Sequence, residues 1–188
     1  MNKMSSRTRV LTGAVAVAAV GAATFGAVSA TAAAPAASGK AAPASASAAA
    51  NSKDTRQVDR LTTAAATKAA QAALDAANRA GQRVTVAVVD RDGNTVVTLR
   101  GDGAGPQSYE SSERKAYTAV SWNAPTSELS QRLQQTPQLK DIPGTLFLAG
   151  AVPVTAKSGP VAAVGVAGAP SGDQDEQFAR AGAATLGH

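Results

Sequence analysis

RVTVAVVDRDGNTVVTLR, residues 83–100, decides the fold class. Two β-branched runs, 83–90 and 95–100, flank Arg91-Asp92-Gly93-Asn94, a turn-forming set, so the chain reverses there and the strands pair antiparallel. Upstream, 61–80 is Ala-rich, with Thr62 or Thr63 placed to cap its start and Gly81 to stop it, which predicts a helix. Downstream, the glycine-rich GDGAGP leads into a helix over 108–122. Pro125-Thr126-Ser127-Glu128 opens a short helix with Thr126 or Ser127 as its cap. Residues 139–150 follow no clear period. Val152-Pro153-Val154 and 161–166, separated by the turn Lys157-Ser158-Gly159, read as a second hairpin. The last helix, 175–186, has Asp173, Asp175 and Glu176 about its positive end. The order α-β-β-α-α-β-β-α makes the class α+β, an antiparallel sheet flanked by helices.

The full chain has 188 residues, with 18 Lys+Arg against 13 Asp+Glu and no Cys. Disulfides, thiolate nucleophiles and Cys-type metal sites are thereby excluded. Residues 1–30 carry Lys3, Arg7 and Arg9, then an uncharged Ala/Val/Gly run and small residues around Ala30, the pattern of a cleaved secretory signal peptide. Residues 31–54, rich in Ala, Pro and Ser, form a flexible tether, because they lack the large apolar groups that offset ordering entropy. The folded domain is expected over 55–188. It holds 13 basic and 12 acidic residues, so the basicity of the chain belongs to the export signal and tether, and a nucleic-acid partner loses its support.

The blocks VTVAVVDRDGNTVVTLRGDGAG (84–105), KAYTA (115–119), Pro125-Thr126, AGAVPV (149–154) and VAAVGVAGAPSGDQDEQFARAGAA (161–184) stand in order along the domain. In that ordered set the chain resembles the GlcG/HbpS family, and its secreted branch above all. The resemblance implies a profilin-like or PAS-like fold, a homo-oligomer, extracellular binding of haem b with iron ions as a second ligand, and, for secreted relatives, redox sensing as accessories to a membrane histidine kinase. Ala151 departs from the family's usual second Gly, and Ala167 from a common Ser.

The residues narrow how haem would be held. Haem iron takes His, Cys, Met or Tyr. Both Met residues lie in the leader, and His188, the last residue, is the one His. Tyr109, Tyr117, Thr118, Thr145 and His188 remain as ligand candidates. Lys115 and Arg114 are candidates for the propionates. Glu110 and Glu113, one helical turn apart, form an E-x-x-E pair suited to a hard iron cation. Each has a plainer alternative: a solvated Glu110–Arg114 pair, a Thr118 bonded back to its own helix, a Thr145 that ends a turn. Gly101 to Gly105 permits a sharp strand-to-helix turn, and Asp102 there disfavours a phosphate. Binding and sensing lead; the alternatives are a haem-degrading enzyme that releases iron and a cofactor-free interaction module.

Overall fold

Thr62 starts the first helix: its hydroxyl accepts the Ala65 N–H at 3.2 Å, and α1 runs Thr63–Arg79. Gly81 then takes φ +69°, a left-handed conformation that side chains resist. The computed structural model describes residues 49–157 and 159–187. The export signal assigned to 1–30, most of the tether, Ser158 and His188 lie outside the described residues. Where the tether is described it carries one 3-10 turn, Ser52–Asp54.

The hairpin forms as its residues predict, from β1 (Thr85–Asp90) and β2 (Thr95–Arg100), with Val86 opposite Leu99. Then follow α2 (Gln107–Trp122), α3 (Thr126–Arg132), a 3-10 turn at Pro137–Asp141, β3 (Ala151–Ala156), β4 (Gly159–Ala167) and α4 (Gly172–Ala183). The four strands lie in the order β2-β1-β4-β3, each pair antiparallel. Pro153, which has no N–H to give, sits on the edge strand β3 opposite Ala163.

Strand residues alternate between two apolar faces. Val86, Val88, Val164 and Val166 pack with Ala66, Ala70, Ala73 and Phe178 beneath α1 and α4. Val89 and Ala163 meet Ala116, Ala119 and Val120 of α2 on the other side. Helices therefore cover both faces and bury the central strands β1 and β4, while β2 is only half-buried. Small residues set the spacing: a Cβ added at Gly165 of β4 would run into the Ser112 carbonyl of α2 and lie 2.8 Å from Ala116 N.

Two helix starts differ from the reading of the sequence. The cap of α4 is Ser171, whose hydroxyl accepts from Gln174 N at 3.3 Å, so the helix begins at Gly172 and Asp175 lies within it. At α3 neither Thr126 nor Ser127 caps. Pro125 holds the N-cap position, and Glu176 of α4 accepts from Ser127 N at 2.9 Å and from its hydroxyl at 2.8 Å. Thr126 instead bonds the Ala151 N–H at 2.9 Å, tying α3 to β3.

The β1–β2 turn hangs on Asp90. Its Oδ1 accepts the N–H groups of Asp92 and Asn94, both at 2.9 Å, and Oδ2 meets Arg60 at 3.3 Å. Burial acts to raise the Asp90 pKa, but the donors from Asn94 and Asp92 and the Arg60 charge together hold it below the ordinary value. A lowered carboxylate stabilises the fold above the ordinary aspartate pKa, and that contribution is lost as pH falls through the lowered folded value. Asp90→Ala is expected to cost about 1–2 kcal/mol in urea unfolding at neutral pH, with the difference from wild type vanishing in acid.

Candidate functional site

Helix α2 places every internal residue singled out from the sequence except Thr145, and it sorts them onto different faces. Ser112, Ala116 and Ala119 are buried towards the sheet, and Thr118 is buried against Leu146. Tyr109 and Glu110 are exposed; Glu113 and Arg114 are half-buried. Gln107, Ser108, Ser111 and Lys115 line a cleft of about 410 Å³. Its opposite walls are Leu146 and Leu148 on one side and the 167–173 turn leading into α4 on the other.

Lys115 crosses into the cleft floor rather than reaching solvent. Its Nζ donates to Asp175 Oδ2 at 2.9 Å and to the Val166 carbonyl at 3.1 Å, and both side chains of the ion pair are about 95% buried. The other Asp175 oxygen accepts from Ala169 N at 3.0 Å. Burial pushes the Asp175 carboxyl above its ordinary value; the Lys115 charge and the N–H groups of Ala169 and Gly168 offset part of that rise. Gly150, at φ +139°, makes room for the ammonium: a Cβ there would lie 2.6 Å from Lys115 Nζ.

Thr118 and Thr145 organise the segment that forms the apolar wall. Thr118, fully buried, donates to the Arg114 carbonyl and accepts from Leu146 N, both at 2.8 Å. The Arg114 guanidinium reaches the Thr145 carbonyl at 2.7 Å, and the Thr145 hydroxyl donates to the Ile142 carbonyl at 2.7 Å. Segment 145–146 is thus stapled to α2 at two points. Leu148, 57% exposed, projects beyond it, while Phe147 turns inward onto Trp122 with ring centroids 5.1 Å apart, edge to face.

The E-x-x-E pair divides. Glu113 accepts from the Thr98 hydroxyl of β2 at 3.0 Å. Glu110 extends into solvent with Arg114 at 3.5 Å. Among the described residues no group of three or more His, Cys, Asp or Glu side chains converges as a metal site. Tyr109 is 47% exposed, and Tyr117 lies over Gly93 and Gly144. The 101–105 loop is a strand-to-helix turn in which Arg100 donates to the Ala104 carbonyl at 2.6 Å. The sequence did not reveal the partner of Lys115 or the capping role of Glu176. The available hint was a lysine at 115 amid small, inward-facing residues of α2.

The family described as "Haem degrading protein HbpS-like" matches residues 61–184. An HbpS variant from Streptomyces reticuli, with two glutamates three residues apart changed to aspartate, is 70% identical; 78% of this chain aligns with 100% of that one at a TM-score of 0.76. The Klebsiella pneumoniae protein ORFY is 30% identical, with 74% and 97% of the two chains aligned and a TM-score of 0.65. PduOC, solved as a haem complex, is 25% identical over 69% of this chain and 96% of that chain, with a TM-score of 0.63. A match that runs from just ahead of α1 to the C-cap of α4, on relatives of the same architecture, makes the chain a member of the HbpS-like family.

Proposed function

We propose that the chain captures haem b outside the cytoplasm and holds it at the cleft between α2, Leu146–Leu148 and the start of α4. The observation that carries this is an open, largely apolar cleft over the buried Lys115–Asp175 pair, in a member of a haem-related family. Haem brings two apolar faces and two propionates. Leu146, Leu148 and Pro170 suit a face; half-buried Arg114 suits a carboxylate, and its neighbour Lys115 adds only the N–H that Asp175 and the Val166 carbonyl leave over. The oxygen donors nearby, Thr145 and Tyr109, fit ferric iron better than ferrous. Thr118, with its hydroxyl engaged on both sides, acts here by holding the wall. Bound haem would supply a redox-active iron, which suits a reporter of oxidative chemistry.

The N-terminal pattern of residues 1–30 supports export, and among the described residues no helix is long and apolar enough to cross a membrane. A homo-oligomer and a membrane sensor histidine kinase as partner belong to the same reading. Iron ions are assigned to Glu110 and Glu113, the one pair of glutamates in the chain three residues apart. The remaining ligands would come from a second copy, because two carboxylates do not complete a coordination shell.

Titration of the full chain with hemin is expected to give a saturable Soret band. Failure to perturb the hemin spectrum refutes haem capture. Glu110→Ala/Glu113→Ala is expected to leave that titration unchanged and to weaken binding of ferric ion alone by at least about tenfold; unchanged ferric binding removes the glutamate assignment. Since the family is described as haem-degrading, the same sample is followed after reductant is added. Loss of the Soret band with release of iron would mark turnover rather than storage.

A further inference from the structure

Tyr117 of α2 joins two turns that lie far apart in the sequence. One edge of its ring stands against the β1–β2 turn: a Cβ at Gly93 would lie 2.7 Å from Cε2 and 3.1 Å from Cδ2. The other edge faces the turn that leads into the cleft wall, where a Cβ at Gly144 would lie 3.7 Å from Cε1 and 3.9 Å from Cδ1. Both glycines have positive φ, +87° and +78°, so each turn offers the ring bare backbone at the point of contact. The edges of the ring make these contacts, and the hydroxyl takes no part in them.

The two turns differ in how firmly they are held. Asp90 fixes the β1–β2 turn by accepting from Asp92 N and Asn94 N, and Gly93 N donates to the Asp90 carbonyl at 3.0 Å. The 142–145 turn has less beneath it: residues 140–144 are exposed, and the preceding 3-10 turn, Pro137–Asp141, buries no residue. Its own bonds run from Thr145 N and the Thr145 hydroxyl to the Ile142 carbonyl, at 3.3 and 2.7 Å. Thr118 and Arg114 hold the chain only from Thr145 onward. We propose that Tyr117 is a positioning residue for the cleft: its ring wedges the 142–145 turn against the fixed β1–β2 turn, so that the wall carrying Thr145, Leu146 and Leu148 stands in its binding arrangement before a ligand arrives. A wall ordered in advance spares the ligand the cost of ordering it, and its loss is read in affinity and release rate. The role rests on haem capture as proposed above, and it takes Tyr117 out of the ligand candidates.

The test compares the full chain with Tyr117→Ala and Tyr117→Phe. Tyr117 is 36% exposed and stands outside the buried clusters, so its truncation leaves the core intact. Hemin is expected to bind Tyr117→Ala at least about tenfold more weakly, through faster release. Tyr117→Phe is expected to bind within about twofold of wild type, with the Soret maximum unmoved. In the ligand-free chain, amide exchange across 142–146 is expected to quicken about tenfold in Tyr117→Ala, with the rest of the domain unchanged, and to return to the wild-type rate in Tyr117→Phe. Loss of hemin affinity or a shifted Soret band in Tyr117→Phe overturns the wedge, since the hydroxyl then meets the iron. Unchanged hemin affinity in Tyr117→Ala overturns it too, as does exchange quickened evenly over the whole domain, the mark of a general loss of stability. If the wild type binds no hemin, haem capture alone falls, and the exchange comparison still decides whether the ring holds the wall.

Discussion

Lys115→Met lowers the unfolding free energy by about 3–5 kcal/mol near neutral pH, because it strands the Asp175 carboxylate in a site some 95% buried. The methionine keeps most of the aliphatic volume, so the loss is electrostatic rather than a cavity. Its pH dependence identifies it. Asp175 already titrates above the ordinary aspartate value in the fold, through burial, and removal of its cation drives it higher. A carboxyl with a raised folded pKa takes up protons on folding, so its stabilisation is complete below the ordinary value and is lost as pH rises through the raised one. The variant therefore gains on wild type as pH falls, and the deficit shrinks between about pH 7 and about pH 4. Urea unfolding across that range measures it. Lys115→Met/Asp175→Leu is expected to recover most of the loss at neutral pH, since an apolar pair carries no desolvation cost. A deficit independent of pH would contradict the ion-pair account.

Gly165→Ala is the second large effect, expected at about 3 kcal/mol. The added methyl meets the backbone of α2 at Ser112 and Ala116, and backbone cannot swing aside as a flexible side chain does. The helix must lift from β4, carrying Lys115 away from Val166 and the cleft wall away from its staples. Loss of stability is therefore accompanied by loss of hemin affinity. Gly187→Ala, where nothing lies within 4 Å of the new Cβ, serves as the control and is expected to change neither.

What the sequence disclosed follows from the range of the interactions. The 83–100 hairpin, the Thr62 cap and the eight-element order rest on neighbours a few residues apart, and all are found in the fold. The α3 cap was misassigned because the capping carboxylate, Glu176, is 49 residues away from Ser127. Lys115 and Asp175 are 60 residues apart, and nothing local marks either as a partner. On α2 the spacing of Glu110 and Glu113 was legible, but the engagement of Glu113 by Thr98 depends on how the helix rolls against β2. For Thr118 the plainer alternative, a hydroxyl bonded to its own helix, is what the structure contains, with the Leu146 N–H added.

The proline on β3 has a consequence for how the sheet meets other chains. Of the two outer strands, β3 lacks a donor at Pro153, and β2 carries an extra residue, Val96, where its pairing with β1 shifts from Val88–Val97 to Val89–Thr95. Both rims thus interrupt the regular row of groups that a docking strand would read, so the domain resists open-ended lateral growth of its sheet.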